Sequence, residues 1–203
     1  MQKIMATFTQ VRYDVFYWRA HTSIPWKITS AIVIAVATGL LAQVRFLLPF
    51  SPVPITGQTF AVLLAGVMLG RRWAGASMAF YAGLGLAGVP WLTGATSGLS
   101  ATTGYLLGFV LAALFVGYVV DKKPNYRSFN KLLWVMLFAS IVIINVPGLL
   151  WLGFWMNSVG DGSVTLVSVL VAGLIPFLPG AIIKATAAAG LSRVTTPRES
   201  YID

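Results

Sequence analysis

Residues 26–47 read WKITSAIVIAVATGLLAQVRFL, with Lys27 and Arg45 the two charges, one at either end. A helix needs about 20 mostly apolar residues to cross the hydrocarbon of a bilayer. The stretch therefore predicts a membrane span. Five further segments follow it, at 57–70, 73–90, 104–120, 131–155 and 164–191. The second is short and the third is rich in glycine, as expected where a chain breaks to line a cavity. Gly66 with Gly70, and Gly104 with Gly108, have the small-xxx-small spacing that lets helices approach closely. The whole chain agrees: of 203 residues 58% are hydrophobic and only 9% charged, with mean hydropathy +0.83. A soluble domain carries about a quarter charged residues, so a water-soluble globular enzyme is excluded. The fold class expected is an all-α membrane protein of six transmembrane helices with ligand-binding outer loops.

The placement of charge supports the same count. Lys3, Arg12, Arg19 and Lys27 precede or open the first span. Arg71 and Arg72 follow the second, Lys122, Lys123, Arg127 and Lys131 follow the fourth, and Arg193 and Arg198 follow the sixth. With six spans these regions share one side. They hold all but two, Arg45 and Lys184, of the 14 basic residues. Basic loops stay in the cytoplasm, so both termini are expected there, in a multi-pass protein of the plasma membrane. The net charge of +9 is then a membrane signature rather than a nucleic-acid one. Three regions are expected: a cytoplasmic segment at 1–25, a six-helix substrate-binding domain at 26–192, and a cytoplasmic tail at 193–203. In the first, Ile4, Phe8, Val11, Val15 and Trp18 recur at helical spacing. They predict an interfacial amphipathic helix, against the simpler alternative of a partly ordered tail.

What is missing narrows the function. The acids are Asp14, Asp121, Asp161, Glu199 and Asp203, and all are expected in loops or tails. Carboxylates inside the membrane are the usual carriers of protons and coupling ions, so autonomous proton-coupled transport is not expected. There is no phosphate-binding G-x-x-x-x-G-K-[ST] loop, and energy for active transport would have to come from a partner. Cysteine is absent and histidine occurs once, leaving no metal site, thiol chemistry or cofactor to expect. A membrane serine protease built on Ser97-Gly98 would need a base for the hydroxyl proton. The one histidine, His21, lies in the cytoplasmic segment, and Ala95 stands where such proteases place glycine.

Three features on the other side carry chemistry. In Pro49-Phe50-Ser51-Pro52-Val53-Pro54-Ile55-Thr56-Gly57-Gln58-Thr59, three prolines forbid a regular helix and stiffen the backbone. Thr56, Gln58 and Thr59 add hydrogen-bonding groups, and a ligand wall is expected in preference to a plain connector. The uncharged segment from Trp91 to Tyr105 contains Thr96, Ser97 and Gly98 and could approach a ligand or act as a lid. In the last span Pro176 and Pro179 should break the helix about a turn before Lys184, the only charge well inside a span. A buried ammonium must find acceptors or snorkel to the interface. Beside a broken helix, a functional role is the expectation. Asn145, in mid-span near Pro147, is expected to bond helix to helix or to reach a ligand.

These residues resemble BioY, the biotin-binding S component of energy-coupling factor (ECF) transporters, over roughly 26–192. The similarity runs through Pro52-Val-Pro-Ile-Thr56, Gln58-Thr59, Leu64-Ala-Gly66, Leu69-Gly70, Tyr81-Ala-Gly-Leu-Gly85, Gly88-Val-Pro90, Thr103-Gly-Tyr-Leu-Leu-Gly-Phe109 and Leu178-Pro-Gly180 with Lys184. Several separate motifs in one order make it specific. Ala31 and Ala35 resemble the A-x-x-x-A surface by which S components dock on their transmembrane partner. Two positions depart from the family pattern. Ala181 stands where an aspartate is usual, three residues before the lysine, and Thr96 stands where the third loop often has asparagine.

The resemblance implies a non-enzymatic subunit that captures biotin from outside, beneath the first and third loops. It would then tip within the bilayer and release biotin inward, with an ECF transmembrane partner and two ATPases supplying energy. Lys184 would donate to the ureido carbonyl. Tyr81, Tyr105 and Trp151 would surround the ring and tail, and Arg45 is a candidate counter-ion for the carboxylate. The alternatives are a BioY-like S component for another small molecule, and a channel or membrane scaffold without coupled uptake.

Overall fold

A computed structural model describes residues 2–89, 99–159, 164–197 and 199–200. Helix α1 (Gln2–His21) is followed by α2 (Ile24–Gln43), whose Pro25 occupies the first turn, where its missing N–H costs nothing. The chain then departs from the expected all-helical pattern. The first span stops at Gln43 rather than residue 47. Strands β1 (Arg45–Leu48) and β2 (Ser51–Thr56) form an antiparallel hairpin, with Arg45 opposite Thr56 and Phe46 opposite Ile55. Pro52 and Pro54 lie in β2; a two-stranded sheet is all edge, so prolines need not interrupt a ladder on both sides. The proline-rich wall is therefore a rigid hairpin. Ser51 fastens it to the last span by donating from Oγ to the Ala172 carbonyl at 2.5 Å.

Helices α3 (Gln58–Leu69) and α4 (Arg71–Leu86) meet at Gly70, whose φ is 74°. A side chain there would be strained and its Cβ would lie 2.6 Å from the Asp121 carboxylate. That carboxylate accepts from the Arg71 backbone N–H at 2.9 Å and so caps α4, where a negative charge also suits the helix dipole. Asp121 was expected in a loop. It closes the last turn of α5 (Thr103–Lys122) and pairs with Arg19 of α1 at 2.6 Å. Arg19 also donates to the Val67 carbonyl at 2.7 Å. Nearby, buried Arg127 donates through Nε to the Val120 carbonyl at 2.8 Å and through Nη1 to the Pro197 carbonyl at 3.2 Å. One arginine thus ties the end of α5 to the C-terminal segment.

Helix α5 is the axis of the molecule. The glycine pairs singled out by spacing make its contacts close. A Cβ on Gly108 would lie 2.7 Å from the Ile144 Cα, and one on Gly66 2.8 Å from the Val116 Cβ. The segment expected as the fifth span comprises α6 (Phe129–Phe138), a π-helical turn (Ala139–Ile143) and α7 (Asn145–Val159). Proline 147 has no N–H to offer its preceding turn, and local π geometry accommodates such a defect. The sixth is α8 (Leu166–Gly173), a 3-10 turn (Ile175–Phe177) and α9 (Leu178–Thr195), broken at Pro176 and Pro179 as expected. Among the described residues, Ile24–Gln43, Thr103–Lys122, Phe129–Val159 and Leu166–Thr195 are long and apolar enough to cross a membrane. With 12 and 16 residues, α3 and α4 span only about 18 and 24 Å at 1.5 Å per residue.

Candidate functional site

The hairpin, the start of α3, the start of α5, the π turn and the start of α9 converge at one end of the bundle. They enclose a cavity of about 80 Å³. Basic residues gather at the other end, around the α3–α4 junction. Six of the residues expected from sequence line the cavity: Thr56, Gln58, Thr59, Tyr105, Asn145 and Lys184. Each is placed by a local irregularity. Lys184 projects from α9 just after the proline break, and its Nζ donates to the Thr56 carbonyl at 3.0 Å. The lysine is neither bare nor snorkelled. It bridges the last span to the hairpin, with further donors for a ligand acceptor.

Thr56 Oγ1 donates to Gln58 Oε1 at 2.7 Å, and Gln58 Nε2 donates to the Tyr81 hydroxyl. Tyr81 is wholly buried and sits behind the lining instead of in it. Its role is to fix the Gln58 carboxamide, which in turn fixes the Thr56 hydroxyl. That leaves the Thr56 oxygen able to accept from a ligand N–H.

Among the described residues Asn145 makes no hydrogen bond to a neighbouring helix. Its Nδ2 donates to the Ser140 and Ile141 carbonyls of its own helix, at 2.8 and 3.1 Å. These belong to the π turn, so the side chain adds hydrogen bonds to that turn. Its Oδ1 remains an acceptor at the cavity. Ser140 lines the same cavity and was not foreseen. In a regular α-helix residues five apart point in different directions, whereas one wide π turn brings them to one face. The nearest sequence signal was Asn145 with Pro147. Val53, Pro54, Phe109 and Phe177 add apolar walls.

The remaining expected residues lie elsewhere. Trp151 does not line the cavity; its Nε1 donates to the Ser100 carbonyl at 2.7 Å and holds the entry to α5. Tyr105 presents its ring, while its hydroxyl is committed to the Gly173 carbonyl at 2.9 Å. Arg45 is exposed on β1 and outside the lining, although its ladder partner is Thr56. Thr96, Ser97 and Gly98 lie outside the described residues. Ala181, standing in the place of the family's aspartate, does line the cavity. Ala31 and Ala35 do not form an open face. They are 7% and 0% exposed, and Ser77 of α4 donates to the Ala31 carbonyl at 2.7 Å. Small side chains there admit the chain's own α4.

Chemically, the cavity offers an ammonium donor, hydroxyl and amide acceptors, and apolar walls. Among the described residues its lining has no carboxylate and no nucleophile–base pair, and it suits capture of a small polar-headed ligand.

Comparison with known proteins follows this geometry. Residues 17–200 match the BioY family. A probable biotin transporter BioY from Methanothermobacter thermautotrophicus is 44% identical, over 68% of this chain and 90% of its own length. The biotin transporter BioY of Rhizobium etli is 34% identical, over 79% and 86% respectively. Among solved structures, the S-component for biotin from an ECF-type ABC transporter superposes with a TM-score of 0.69 at 26% identity. That match covers 82% of this chain and 88% of the other.

Proposed function

The chain belongs to the BioY family, and on that premise we propose that it is a biotin-capturing S component, not an enzyme, whose uptake is driven by an ECF partner and its ATPases. One observation carries the site assignment: Lys184 emerges from a broken span to meet Thr56 in the wall of an apolar cavity. A ureido group presents one carbonyl and two N–H groups. Lys184 Nζ would donate to the carbonyl, and Thr56 Oγ1 and Asn145 Oδ1 would accept from the N–H groups. Phe109, Phe177 and the Tyr105 ring would flank the ring system. Arg45, set at the rim by its register with Thr56, would face the carboxylate, and Thr96, Ser97 and Gly98 would contribute further ligand contacts. The cavity is small for a bicyclic acid with a tail, so binding would require its wall to yield. The Lys184–Thr56 hydrogen bond is the contact that a ligand carbonyl would share or replace.

In this reading α2, α3, α4, α5, α6–α7 and α8–α9 are the six passes. The short α3 would be completed by the hairpin above it. Residues 26–192 form the substrate-binding domain, flanked by cytoplasmic segments at 1–25 and 193–203. The convergence of Arg19, Arg71, Arg72 and Lys122 at the end opposite the cavity supports a cytoplasmic placement of that end, with the cavity facing outward. Docking of the transmembrane partner through Ala31 and Ala35 would require α4 to yield access to them.

Calorimetric titration of the purified chain with biotin tests the assignment. Submicromolar binding is expected. Lys184→Ala should weaken it by tenfold to hundredfold, corresponding to about 1–3 kcal/mol for a lost buried hydrogen bond to a charged donor. Absence of biotin binding near micromolar concentration would overturn the ligand. Ala181 leaves the family's usual acceptor missing at the cavity, and a BioY-like component for another small molecule would then be the reading to pursue.

A further inference from the structure

A second site lies at the basic end, remote from the outer cavity. Its first part is a groove of about 260 Å³ between α1 and the bundle, walled by Phe16, Val33, Ile34, Met68 and Trp73. Its second part is a cavity of about 490 Å³ reached by Arg19, Lys27, Arg71, Arg72 and Lys122, with Asp121 its one carboxylate. The two share Arg19, Lys27, Leu69 and Trp73, so they form one continuous feature with an apolar end and a cationic end. Asp121 is already engaged by Arg19 and by the Arg71 N–H, which leaves a strong positive excess.

Helix α1 shapes this feature. Phe16 and Arg19 face the bundle, and Phe16 is 2% exposed. Val11, Val15 and Trp18, part of the apolar stripe read from the sequence, face outward and are 49 to 53% exposed. Trp18, which lines the groove, packs edge-on to the exposed Trp26 at 6.3 Å. Tryptophans are enriched where hydrocarbon gives way to headgroups. An apolar outer face on a helix of this kind is suited to lie against lipid.

We propose that this feature binds one anionic phospholipid, with acyl chain in the groove and phosphate in the basic cavity. Charge complementarity selects the headgroup. The contiguous apolar groove selects a lipid over a free anion. Basic residues near a membrane surface attract anionic lipid, and beyond the Arg19–Asp121 pair four cations converge here: Lys27, Arg71, Arg72 and Lys122. Bound lipid would join α1 to α2 and α4. Unlike the outer cavity, this site requires nothing of the biotin assignment.

Native mass spectrometry of the full chain in detergent, with phosphatidylglycerol or phosphatidylcholine added, tests it. The expected result is one phosphatidylglycerol retained per chain, at least tenfold tighter than phosphatidylcholine. The preference should disappear in the Arg72→Ala/Lys122→Ala double variant. Val33→Trp, which fills the exposed groove, should remove the lipid while leaving the thermal midpoint and biotin affinity unchanged. Equal retention of the two lipids, or preference surviving in the double variant, would overturn the proposal. So would competition by inorganic phosphate at the same concentration as lipid, which would mark a simple anion site. Displacement of the lipid from this groove by the energising subunits would instead identify a protein-docking surface and equally overturn it.

Discussion

At the residue scale, the candidate site depends on polar groups that are held by others. Gln58 touches the cavity, but it is oriented by the buried Tyr81 hydroxyl behind it. Tyr81→Phe should leave a buried amide donor without that acceptor, at a cost of about 1–3 kcal/mol. It should lower both the thermal midpoint and biotin affinity. Replacing both partners, as Gln58→Leu with Tyr81→Phe, should recover part of the stability, since the buried amide that lacked its acceptor is gone, while the Thr56 hydroxyl loses its own. Affinity should remain low. Thermal melts beside titrations separate the two effects, and equal recovery of both would show that the carboxamide has no part in binding. Sequence singled out Lys184 because a lone cation in an apolar span demands a partner. It could not identify that partner: the Thr56 carbonyl is a backbone group 128 residues away.

At the element scale, breaks rather than regular helices position the site. The Pro176/Pro179 break was legible because proline has no N–H and clashes with the turn before it. The π turn at Ala139–Ile143 was not, since it inserts one residue into a helix whose hydrophobic pattern still satisfies a membrane span. The β hairpin was equally hidden, because prolines argue against helix and usually against strand. Close packing against α5 gives a direct test. Gly108→Ala would drive a Cβ against the Ile144 backbone, and it should destabilise by about 1–3 kcal/mol through overpacking. Gly83→Ala, with open space beside it, should instead stabilise α4 by up to about 1 kcal/mol through helix propensity. Opposite shifts in thermal midpoint are expected, and similar shifts would refute the packing assignment.

At the scale of the whole molecule, the proposed function separates capture from energisation. The sequence has no phosphate loop, and the described cavity has no carboxylate to carry a proton. In proteoliposomes the chain alone should therefore show no ATP-dependent biotin accumulation, while co-reconstitution with an ECF module should confer it. ATP-dependent accumulation by the chain alone would reject the division of labour. By itself the sequence determined membrane class, the order of apolar segments, the charge asymmetry and the break in the last span beside its lone cation. Those follow from composition and local order, which bilayer thickness and proline chemistry act on directly. The tertiary structure decided that the proline-rich wall is a hairpin, that Tyr81 and Trp151 support instead of lining, and that Ala31 and Ala35 are covered. It also decided that Ser140 joins Asn145. Each depends on which distant segments meet, because a side chain's role is set by the neighbours that close around it, and these are contributed by separate parts of the chain.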